Sequence, residues 1–447
     1  MQLPLELLRS LEGVKGFDKE TFIKVHESGE QVTSIRVNPK KLSIVNCQLS
    51  IDNGIPWTEH GSYLASRPSF TFDPLFHAGC YYVQEASSMF LEQALKQTVD
   101  LSQPLKVLDL CAAPGGKSTH LLSLISKDSL LVSNEVIRSR GNILNDNIVK
   151  WGCNNVIVTN NDPRDFQRLQ NYFDVLVVDA PCSGSGLFRR DVEAIEEWSE
   201  QNVALCSQRQ QRILADVLPA LKSGGVLIYS TCSYSTEEDE EICNWLGKEL
   251  SIVNCQLSID NNWNIVQSNG GYRFWPDKVK GEGFFIACFK KEAGDNDETY
   301  VPKIKPEKFS NQEMEILNKN VTAEGLAFLR HGKNIHAVPE KLLADVDFLL
   351  SKLRIVNYGT KVGEIIKDKL IPDHALALSN IIGDKIPRLE LSYEQAIQYL
   401  KKKELSLQTD KKGWSLVTHH GHPLGWINIL SNRINNYYPK ELRILKD

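Results

Sequence analysis

Residues 107–120 read VLDLCAAPGGKSTH, which combines an apolar strand-like run, a turn of small residues and the start of a helix. Gly115 and Gly116 allow the backbone to approach a ligand closely, and a helix start offers free N–H groups. In an open α/β sheet, ligands bind at the carboxyl ends of such strands. The segment therefore predicts a ligand-binding turn at one edge of a sheet.

The sequence beyond this turn alternates strands with helix-length segments. Short apolar runs are typical of buried parallel strands. They are LLVSNE (130–135), NVIVTN (155–160), DVLVVDA (174–180) and GGVLIYST (224–231). A last pair, WNIVQS (263–268) and GFFIACF (283–289), predicts antiparallel strands at the edge of the sheet. The expected fold class is therefore α/β, with a doubly wound, Rossmann-like sheet.

Acidic residues after the next two strands indicate what the turn binds. Glu135 ends the second strand, where an acidic side chain can hold both hydroxyls of a ribose. Asp162 follows the third strand, and its carboxylate could accept a hydrogen bond from an adenine amino group. The turn and the two acids together predict a nucleoside cofactor.

A phosphate-binding P-loop is the competing interpretation of the same turn. CAAPGGKS (111–118) departs from G-x-x-x-x-G-K-[ST] at Cys111, which stands where the first glycine should be. The apolar strand ending in Asp179 also resembles the strand that holds magnesium in P-loop enzymes. The missing glycine speaks against a tight phosphate turn. This segment alone still leaves a nucleotide hydrolase open as an alternative.

Two cysteines follow the next two strands. Cys182 lies in DAPCSGSG (179–186) after the fourth strand, and Cys232 lies in STCS (230–233) after the fifth. A thiolate can add to carbon 6 of a cytosine ring, which activates carbon 5 toward a sulfonium methyl donor. A single free cysteine is more often a small buried residue. Two cysteines in strand-end turns beside a carboxylate favour the methylation chemistry.

Three segments resemble the signature motifs of the Nol/Nop/Sun family of RNA 5-methylcytosine methyltransferases. They are VLDLCAAPGGKST (107–119), DAPCSGSGLFRRD (179–191) and YSTCSYSTEEDE (229–240); YYVQEASSM (81–89) resembles the family's upstream segment. The resemblance implies a Rossmann-like domain that uses S-adenosyl-L-methionine, without a metal, to methylate RNA. The C-terminal extension, which ends in HPLGWINILSNRINNYYP (422–439), is similar to the PUA-like RNA-binding tail of bacterial small-subunit ribosomal RNA members.

The resemblance also implies a role for each motif residue. Cys232 would be the covalent nucleophile, Cys182 would assist release of the product, and Asp179 would lie between the donor and the base. The donor-binding residues would be Cys111, Ala112, Ala113, Pro114, Gly115, Gly116, Lys117, Glu135, Asp162 and Asp179. Asp165, in the same loop as Asp162, is an alternative for that position.

Four regions are expected along the chain. They are an N-terminal α+β RNA-recognition extension (1–74), the methyltransferase domain (75–290), a linker (291–308) and a PUA-like α+β RNA-binding region (309–447). Residues 301–447 carry 23 Lys and Arg against 17 Asp and Glu, a net charge of +6, whereas the whole chain carries −5. This basic part fits an RNA-binding module and also an ordinary solvated surface. Because every motif lies upstream of the linker, the cofactor site should survive removal of the C-terminal part.

The composition also bears on metal binding, membrane association and export. The ten cysteines form no C-x-x-C pair, no run of eighteen apolar residues occurs, and the first residues lack a signal-peptide pattern. We therefore expect a cytoplasmic, monomeric enzyme with no membrane contact. Its expected substrate is small-subunit ribosomal RNA. A transfer RNA methyltransferase of the same family and a non-catalytic RNA-binding factor of ribosome assembly are the alternatives.

Three other features complete the interpretation. Arg189 and Arg190 could contact RNA phosphates, although such arginine pairs are more often solvated. The acidic run from Glu237 to Glu241 is interpreted as the capped first turn of a helix. LSIVNCQLSIDN occurs at 42–53 and again at 250–261, and each copy alternates apolar and polar residues as a strand does.

Overall fold

The N-terminal region forms a small antiparallel sheet with three helices. The structure, a computed structural model, describes residues 3–41, 49–250, 252–294, 301–302, 307–322 and 324–446. The elements here are α1 (Leu5–Ser10), α2 (Lys19–Glu27), β1 (Ser34–Val37), β2 (Ile51–Gly54), β3 (Gly61–Leu64), α3 (Pro74–His77) and β4 (Tyr81–Val83). The strand order is β2-β3-β1-β4. The sheet therefore continues past residue 74, the predicted end of the N-terminal extension.

The central region is an α/β sandwich. Its helices are α4 (Leu91–Thr98), α5 (Gly116–Leu124), α6 (Arg138–Trp151), α7 (Glu193–Glu197), α8 (Glu200–Val217) and α9 (Glu240–Glu249). Its strands are β5 (Lys106–Asp109), β6 (Leu130–Asn134), β7 (Val156–Thr159), β8 (Phe173–Asp179), β9 (Leu221–Thr231), β10 (Ile252–Asn254), β11 (Val266–Gln267), β12 (Tyr272–Phe274) and β13 (Phe284–Lys291).

The sheet topology confirms the Rossmann-like expectation. Strands β5 to β9 are parallel, in the order β9-β8-β5-β6-β7, and β13 runs antiparallel to β9. Beyond β13 come β12 and then β11, also antiparallel. The edge strands expected from WNIVQS and GFFIACF are thus present, with β12 between them. This order brings the carboxyl ends of β5, β6, β8 and β9 to one edge.

The C-terminal region contributes a strand to the catalytic sheet. Its first part contains α10 (Asn311–Asn320), β14 (Leu326–His331), β15 (Asn334–Pro339), α11 (Leu343–Lys352), β16 (Ile355–Tyr358), β17 (Thr360–Ile366), β18 (Lys369–Pro372) and α12 (His374–Leu378). Strand β16 pairs antiparallel with β7, and the Asn160 and Arg354 backbones are hydrogen-bonded. Side chains of α11, Val346 and Leu349, share one apolar core with Leu108 and Leu176 of the central sheet.

The last part of the chain packs on the N-terminal sheet. It contains β19 (Arg388–Glu390), α13 (Tyr393–Leu400), β20 (Gly413–His419), β21 (His422–Ile429) and β22 (Ile434–Asn436), which form a four-stranded sheet with one helix. Ile35 and Leu75 lie in the same apolar cluster as Tyr399 and Val417. The α+β expectation for both terminal regions is confirmed. The C-terminal region is not a detachable tail, because it is packed against both other parts.

This packing reverses the expectation that the cofactor site survives truncation. Deletion of residues 309–447 exposes the face of the central sheet that α11 covers and leaves β7 as an open edge strand, paired with β6 alone. Each fully buried Leu or Val contributes about 1.5–3 kcal/mol, whereas a whole domain is stable by about 5–15 kcal/mol. We expect the truncated chain to aggregate or melt far below the full chain. Thermal unfolding followed by circular dichroism, with gel filtration, measures this.

The full-length Arg354→Ala variant is the control for the truncation, because Arg354 reaches Asn160 and Asn161 through its backbone. It should melt close to the parent protein. A truncated chain that stays monomeric with an unchanged melting temperature would contradict the integral role of β16.

The repeated twelve residues adopt different structures in the two copies. Ile51–Gly54 is strand β2, whereas the equivalent IDN of the second copy leads into a short turn at Asn261–Trp263. The second copy forms its strand earlier, as β10, and the equivalent residues of the first copy lie outside the described residues. Tertiary pairing therefore decides whether the IDN part of the repeat becomes a strand. Within the described residues, no helix has the length and hydropathy needed to cross a lipid bilayer.

Candidate active site

The turn after β5 is held in a fixed shape by neighbouring side chains. Gly115 caps α5 with φ of +112°, a backbone conformation that favours glycine. Arg140 Nη2 donates to the Ala113 carbonyl at 2.9 Å, and Asn147 Nδ2 donates to the Pro114 carbonyl at 2.8 Å. Both donors lie on α6. The turn is thus clamped from its outer side and leaves its inner side open to a ligand.

A buried arginine of the N-terminal extension supports the same turn. Arg36 on β1 is fully buried, and its Nη2 donates to the Gly116 carbonyl at 3.2 Å and to Thr119 Oγ1 at 2.7 Å. Its Nε donates to Gln84 Oε1 at 2.9 Å. Burial lowers the pKa of Arg36 to about 9, so it remains charged at neutral pH. The sequence carries no signal for this role, because Arg36 is some eighty positions from its partners on α5.

Arg36→Met should therefore weaken donor binding as well as the fold. The change removes the hydrogen bonds that the Arg36 guanidinium donates to Gly116, Thr119 and Ser123 of α5, each worth about 1.5–3 kcal/mol as a bond to a charged group. Movement of the turn by a fraction of an ångström should raise the dissociation constant of S-adenosylmethionine about tenfold, or about 1.4 kcal/mol. Isothermal titration calorimetry and a thermal melt measure the two effects. Arg209→Met, on the exposed face of α8, is the control; equal effects in both variants would contradict the support role.

A cavity of about 150 Å³ lies between the turn and the N-terminal sheet. One wall is formed by the turn from Cys111 to Lys117, without Gly115, together with Asp179. The other wall is formed by β4 and the residues that follow it, from Tyr82 to Glu85, and by Ser88. A Cβ on Gly116 would come within 3.4 Å of the Tyr82 ring. The motif YYVQEASSM thus faces the cofactor turn, as a wall of the site.

An ion pair joins the turn to the cysteine strands. Lys117 Nζ lies 2.7 Å from Asp179 Oδ2, and Ser230 Oγ donates to Asp179 Oδ1 at 2.7 Å. Asp179 ends β8, and its register partner Ser230 lies near the end of β9. Asp179 therefore stands between the cofactor turn and the two cysteine turns.

The two other acids lie beyond this cavity. Glu135 is 3% exposed, and its carboxylate accepts from the Ile137 N–H at 2.9 Å and lies 3.5 Å from Arg140 Nη1. Asp162 is exposed and caps a short turn by accepting from the Arg164 N–H at 3.1 Å. Asp165 accepts from the Asp162 N–H at 3.2 Å and is thus engaged within the loop. Neither Glu135 nor Asp162 is among the residues that line the cavity.

A buried asparagine sets the positions of these strand ends. Asn134 Nδ2 donates to the Leu110 and Asn161 carbonyls at 3.1 and 3.0 Å. Its Oδ1 accepts from the Asn161 N–H and from Thr159 Oγ1. One side chain therefore connects the ends of β5, β6 and β7. Asn134 is not among the site residues predicted from the sequence, where its signal is a polar residue inside the apolar run LLVSNE.

The two cysteines lie side by side. Cys182 Sγ and Cys232 Sγ are 3.0 Å apart, and both residues are free thiols that are partly exposed. The hydrogen bond with Cys232 and burial raise the pKa of Cys182 well above its usual value, so Cys182 stays protonated at neutral pH. Burial also raises the pKa of Cys111 strongly. Burial therefore favours the protonated form of the Cys182 and Cys111 thiols.

The acidic run after Cys232 is not a solvated helix start. Helix α9 begins at Glu240, and both Glu238 and Asp239 are fully buried before it. Arg273 Nη1 lies 3.2 Å from Asp239 Oδ2, and Arg273 Nε donates to Glu240 Oε1 at 2.6 Å. The interpretation as a helix first turn is confirmed for Glu240 and Glu241 and wrong for Glu238 and Asp239, which precede the helix and are buried. The available signal was the run of five consecutive acids at 237–241, which four residues separate from Cys232.

Arg189 and Arg190, which follow the Pro-Cys turn, lie in different environments. Arg189 is buried; its guanidinium donates to the Gly281 and Glu30 carbonyls at 3.0 and 2.6 Å and lies 3.7 Å from Glu282. Burial raises the pKa of Glu282 to about 7. Arg190 is exposed. The phosphate interpretation is therefore wrong for Arg189, which joins segments of the chain, and stays a prediction for Arg190.

The parallel sheet with its cofactor turn and strand-end cysteines defines an α/β methyltransferase that uses S-adenosylmethionine. A solved structure described as a methyltransferase homologue protein from Pyrococcus horikoshii superposes with a TM-score of 0.52 at 27% identity. The superposition covers 65% of the present chain and 100% of the Pyrococcus horikoshii chain. Residues 96–290 match the family model of the 16S rRNA methyltransferase RsmB/F.

The flanking regions match three further family models. Residues 3–86 match the N-terminal domain of 16S rRNA methyltransferase RsmF, residues 308–379 its first C-terminal domain, and residues 386–444 its PUA domain. Ribosomal RNA small subunit methyltransferase F of Shewanella woodyi is 30% identical over 92% of this chain and 90% of its own length. The Vibrio parahaemolyticus protein of that name is 30% identical over 92% and 91%. The chain belongs to the ribosomal RNA small subunit methyltransferase F family.

Proposed function

We propose that the chain methylates carbon 5 of a cytosine in small-subunit ribosomal RNA, through a covalent bond from Cys232 to carbon 6. The observation that carries the proposal is the contact between Cys182 and Cys232, whose sulfurs are 3.0 Å apart beside the cofactor turn. The names of the relatives support the choice of substrate. The net charge of +6 on residues 301–447 and the PUA match support an RNA partner.

The cysteine geometry supports a two-stage reaction. The Cys232 thiolate adds to carbon 6, and the electron pair of the C5–C6 double bond becomes available at carbon 5. The bound donor supplies the methyl group that carbon 5 takes up. Asp179 or a water molecule then accepts the carbon 5 proton, the C5–C6 double bond forms again, and the Cys232 thiolate leaves. We assign Cys182 to this release, because its thiol can donate a hydrogen bond to the departing sulfur.

The remaining site residues are assigned to the donor. We propose that the backbone and side chains of residues 111–117 contact the donor in the cavity of about 150 Å³. We propose that Glu135 binds the ribose of the donor and that Asp162 binds its adenine. Asp179 is proposed to lie between the donor and the base. The protein is further proposed to act as a monomer in the cytoplasm, where ribosomal RNA is its substrate.

The test is incubation of the purified chain with radiolabelled S-adenosylmethionine and separate pools of RNA. The pools are naked 16S ribosomal RNA, small ribosomal subunits and transfer RNA from cells that lack the gene. We expect label in 5-methylcytosine of 16S RNA or small subunits. Label in transfer RNA alone would favour the transfer RNA alternative. RNA binding with no label in any pool would favour a non-catalytic assembly factor.

A further inference from the structure

We infer that Glu238 is a positioning residue that holds the Pro-Cys turn against the Thr-Cys turn and so sets Cys182 beside Cys232. The inference rests on the proposed function. Ser183 directly follows Cys182, and Ser233 directly follows Cys232. One carboxylate binds both of these serines. Glu238 itself contacts neither reacting sulfur, so it acts through the two turns.

The contacts of Glu238 use both carboxylate oxygens. Oε1 accepts from the Ser183 N–H at 2.8 Å and from Gln210 Nε2 at 3.2 Å. Oε2 accepts from Ser183 Oγ at 2.5 Å and from Ser233 Oγ at 2.6 Å. Hydrogen bonds to an ionised acceptor are short and strong, so these four donors fix the carboxylate and both turns as one unit.

The environment of Glu238 differs from that of its neighbours. Asp239 and Glu240 are paired with Arg273, whereas the described contacts of Glu238 are hydroxyl and amide donors. Glu238 is 0% exposed. Burial of a carboxylate without a cation is costly, and an apolar residue of similar size often stabilises such a site better. Its presence here is therefore better explained by the position of the cysteine turns than by stability.

The two cysteine turns depend on Glu238 to different extents. The Gly186 N–H of the Pro-Cys turn donates to the Cys232 carbonyl at 2.8 Å and joins the two turns, and Thr231 Oγ1 holds the Thr-Cys turn by donating to Asp239 at 2.6 Å. Glu238 accepts two hydrogen bonds from Ser183, which follows Cys182, and one from Ser233, which follows Cys232. Loss of the carboxylate should therefore displace Cys182 more than Cys232.

This asymmetry gives Glu238→Gln a specific kinetic signature. Attack by Cys232 should continue, whereas release, which needs Cys182, should become slow. We expect kcat to fall about 10- to 100-fold, the range that misplacement by about 1 Å produces. KM for the donor and for RNA should stay within about twofold. Protein covalently attached to RNA should accumulate and resist denaturing gel electrophoresis, as a purely structural role would not predict.

Ser183→Ala and Ser233→Ala test the contact of Glu238 with each turn separately. They also keep the inference testable if Glu238→Gln folds poorly. Ser183→Ala should accumulate adduct to a smaller extent, because the Ser183 N–H still binds Glu238. Ser233→Ala should accumulate less adduct than Ser183→Ala. The matched control is Glu92→Gln, because Glu92 is 1% exposed and accepts from Thr58, Lys96 and His120 elsewhere in the fold. It should lower the melting temperature without accumulating adduct.

Cys182→Ala, measured in parallel, separates failure of this inference from failure of the proposed function. Adduct in Cys182→Ala, Glu238→Gln and Ser183→Ala, with none in Glu92→Gln, supports the inference. Adduct in Cys182→Ala but in neither Glu238→Gln nor Ser183→Ala overturns the inference and leaves the proposed function standing. Absence of adduct from Cys182→Ala overturns the assigned role of Cys182, and the inference falls with it.

Discussion

Cys232→Ala should reduce methyl transfer by at least about 10³-fold, the scale on which enzymes depend on a covalent nucleophile. No other described thiol is placed to replace it. Cys182 loses its hydrogen bond with Cys232 in this variant but stays buried, which keeps its pKa above the usual value, and burial likewise raises the pKa of Cys111. The variant should also form no covalent complex with RNA. Transfer of labelled methyl groups and denaturing gels measure the two losses.

The variant should keep the cofactor site, because Lys117 and Asp179 pair without Cys232. Donor binding by calorimetry should therefore match that of the parent protein. Cys206→Ala removes a buried cysteine of α8 and serves as the control for loss of a thiol. A covalent complex in Cys232→Ala would contradict the assignment and exchange the roles of the two cysteines.

Cys182→Ala should fail in the opposite way. Attack on carbon 6 remains possible, and methyl transfer can follow, but release of the product loses the thiol 3.0 Å from the departing sulfur. A positioned proton-transfer group contributes about 10²–10⁴-fold. We expect turnover to fall within this range while methylated RNA stays bound to the protein. Gel-resistant complex that contains the label from the donor would show this.

The double variant Cys182→Ala/Cys232→Ala gives the decisive comparison. Because release matters only after attack, it should behave as Cys232→Ala does and form no complex. Complex in the double variant would mean that another side chain attacks the base. Rapid turnover in Cys182→Ala would mean that water or Asp179 alone serves the release step.

Local patterns in the sequence predict the features that depend on neighbours along the chain. The apolar runs predict the five parallel strands, because a buried strand must be apolar on both faces. The strand ends in turn predict that Cys182, Cys232, Asp179 and the cofactor turn meet, because parallel strands end at the same edge. The structure agrees with this prediction for the cofactor turn and Asp179, because Lys117 Nζ lies 2.7 Å from Asp179 Oδ2.

The sequence does not predict features that depend on distant partners. Arg36 and Arg189 look like exposed cations, yet each is buried by segments remote in sequence. Glu238 has the local pattern of a helix start, and its burial depends on Ser183, some fifty residues earlier. The position of β16 beside β7 likewise depends on pairing across almost two hundred residues. A local pattern holds no information on such pairings.

The pairing of β7 with β16 also determines when the enzyme can become complete during synthesis. Asn161 and Arg354, which are hydrogen-bonded beside this pair, are 193 positions apart. A nascent chain therefore emerges from the ribosome with the β7 edge open until most of the protein has been translated. Contacts so distant in sequence slow folding, and an unpaired strand edge invites association with other chains. We expect chaperone dependence to be greatest for chains arrested between these two strands.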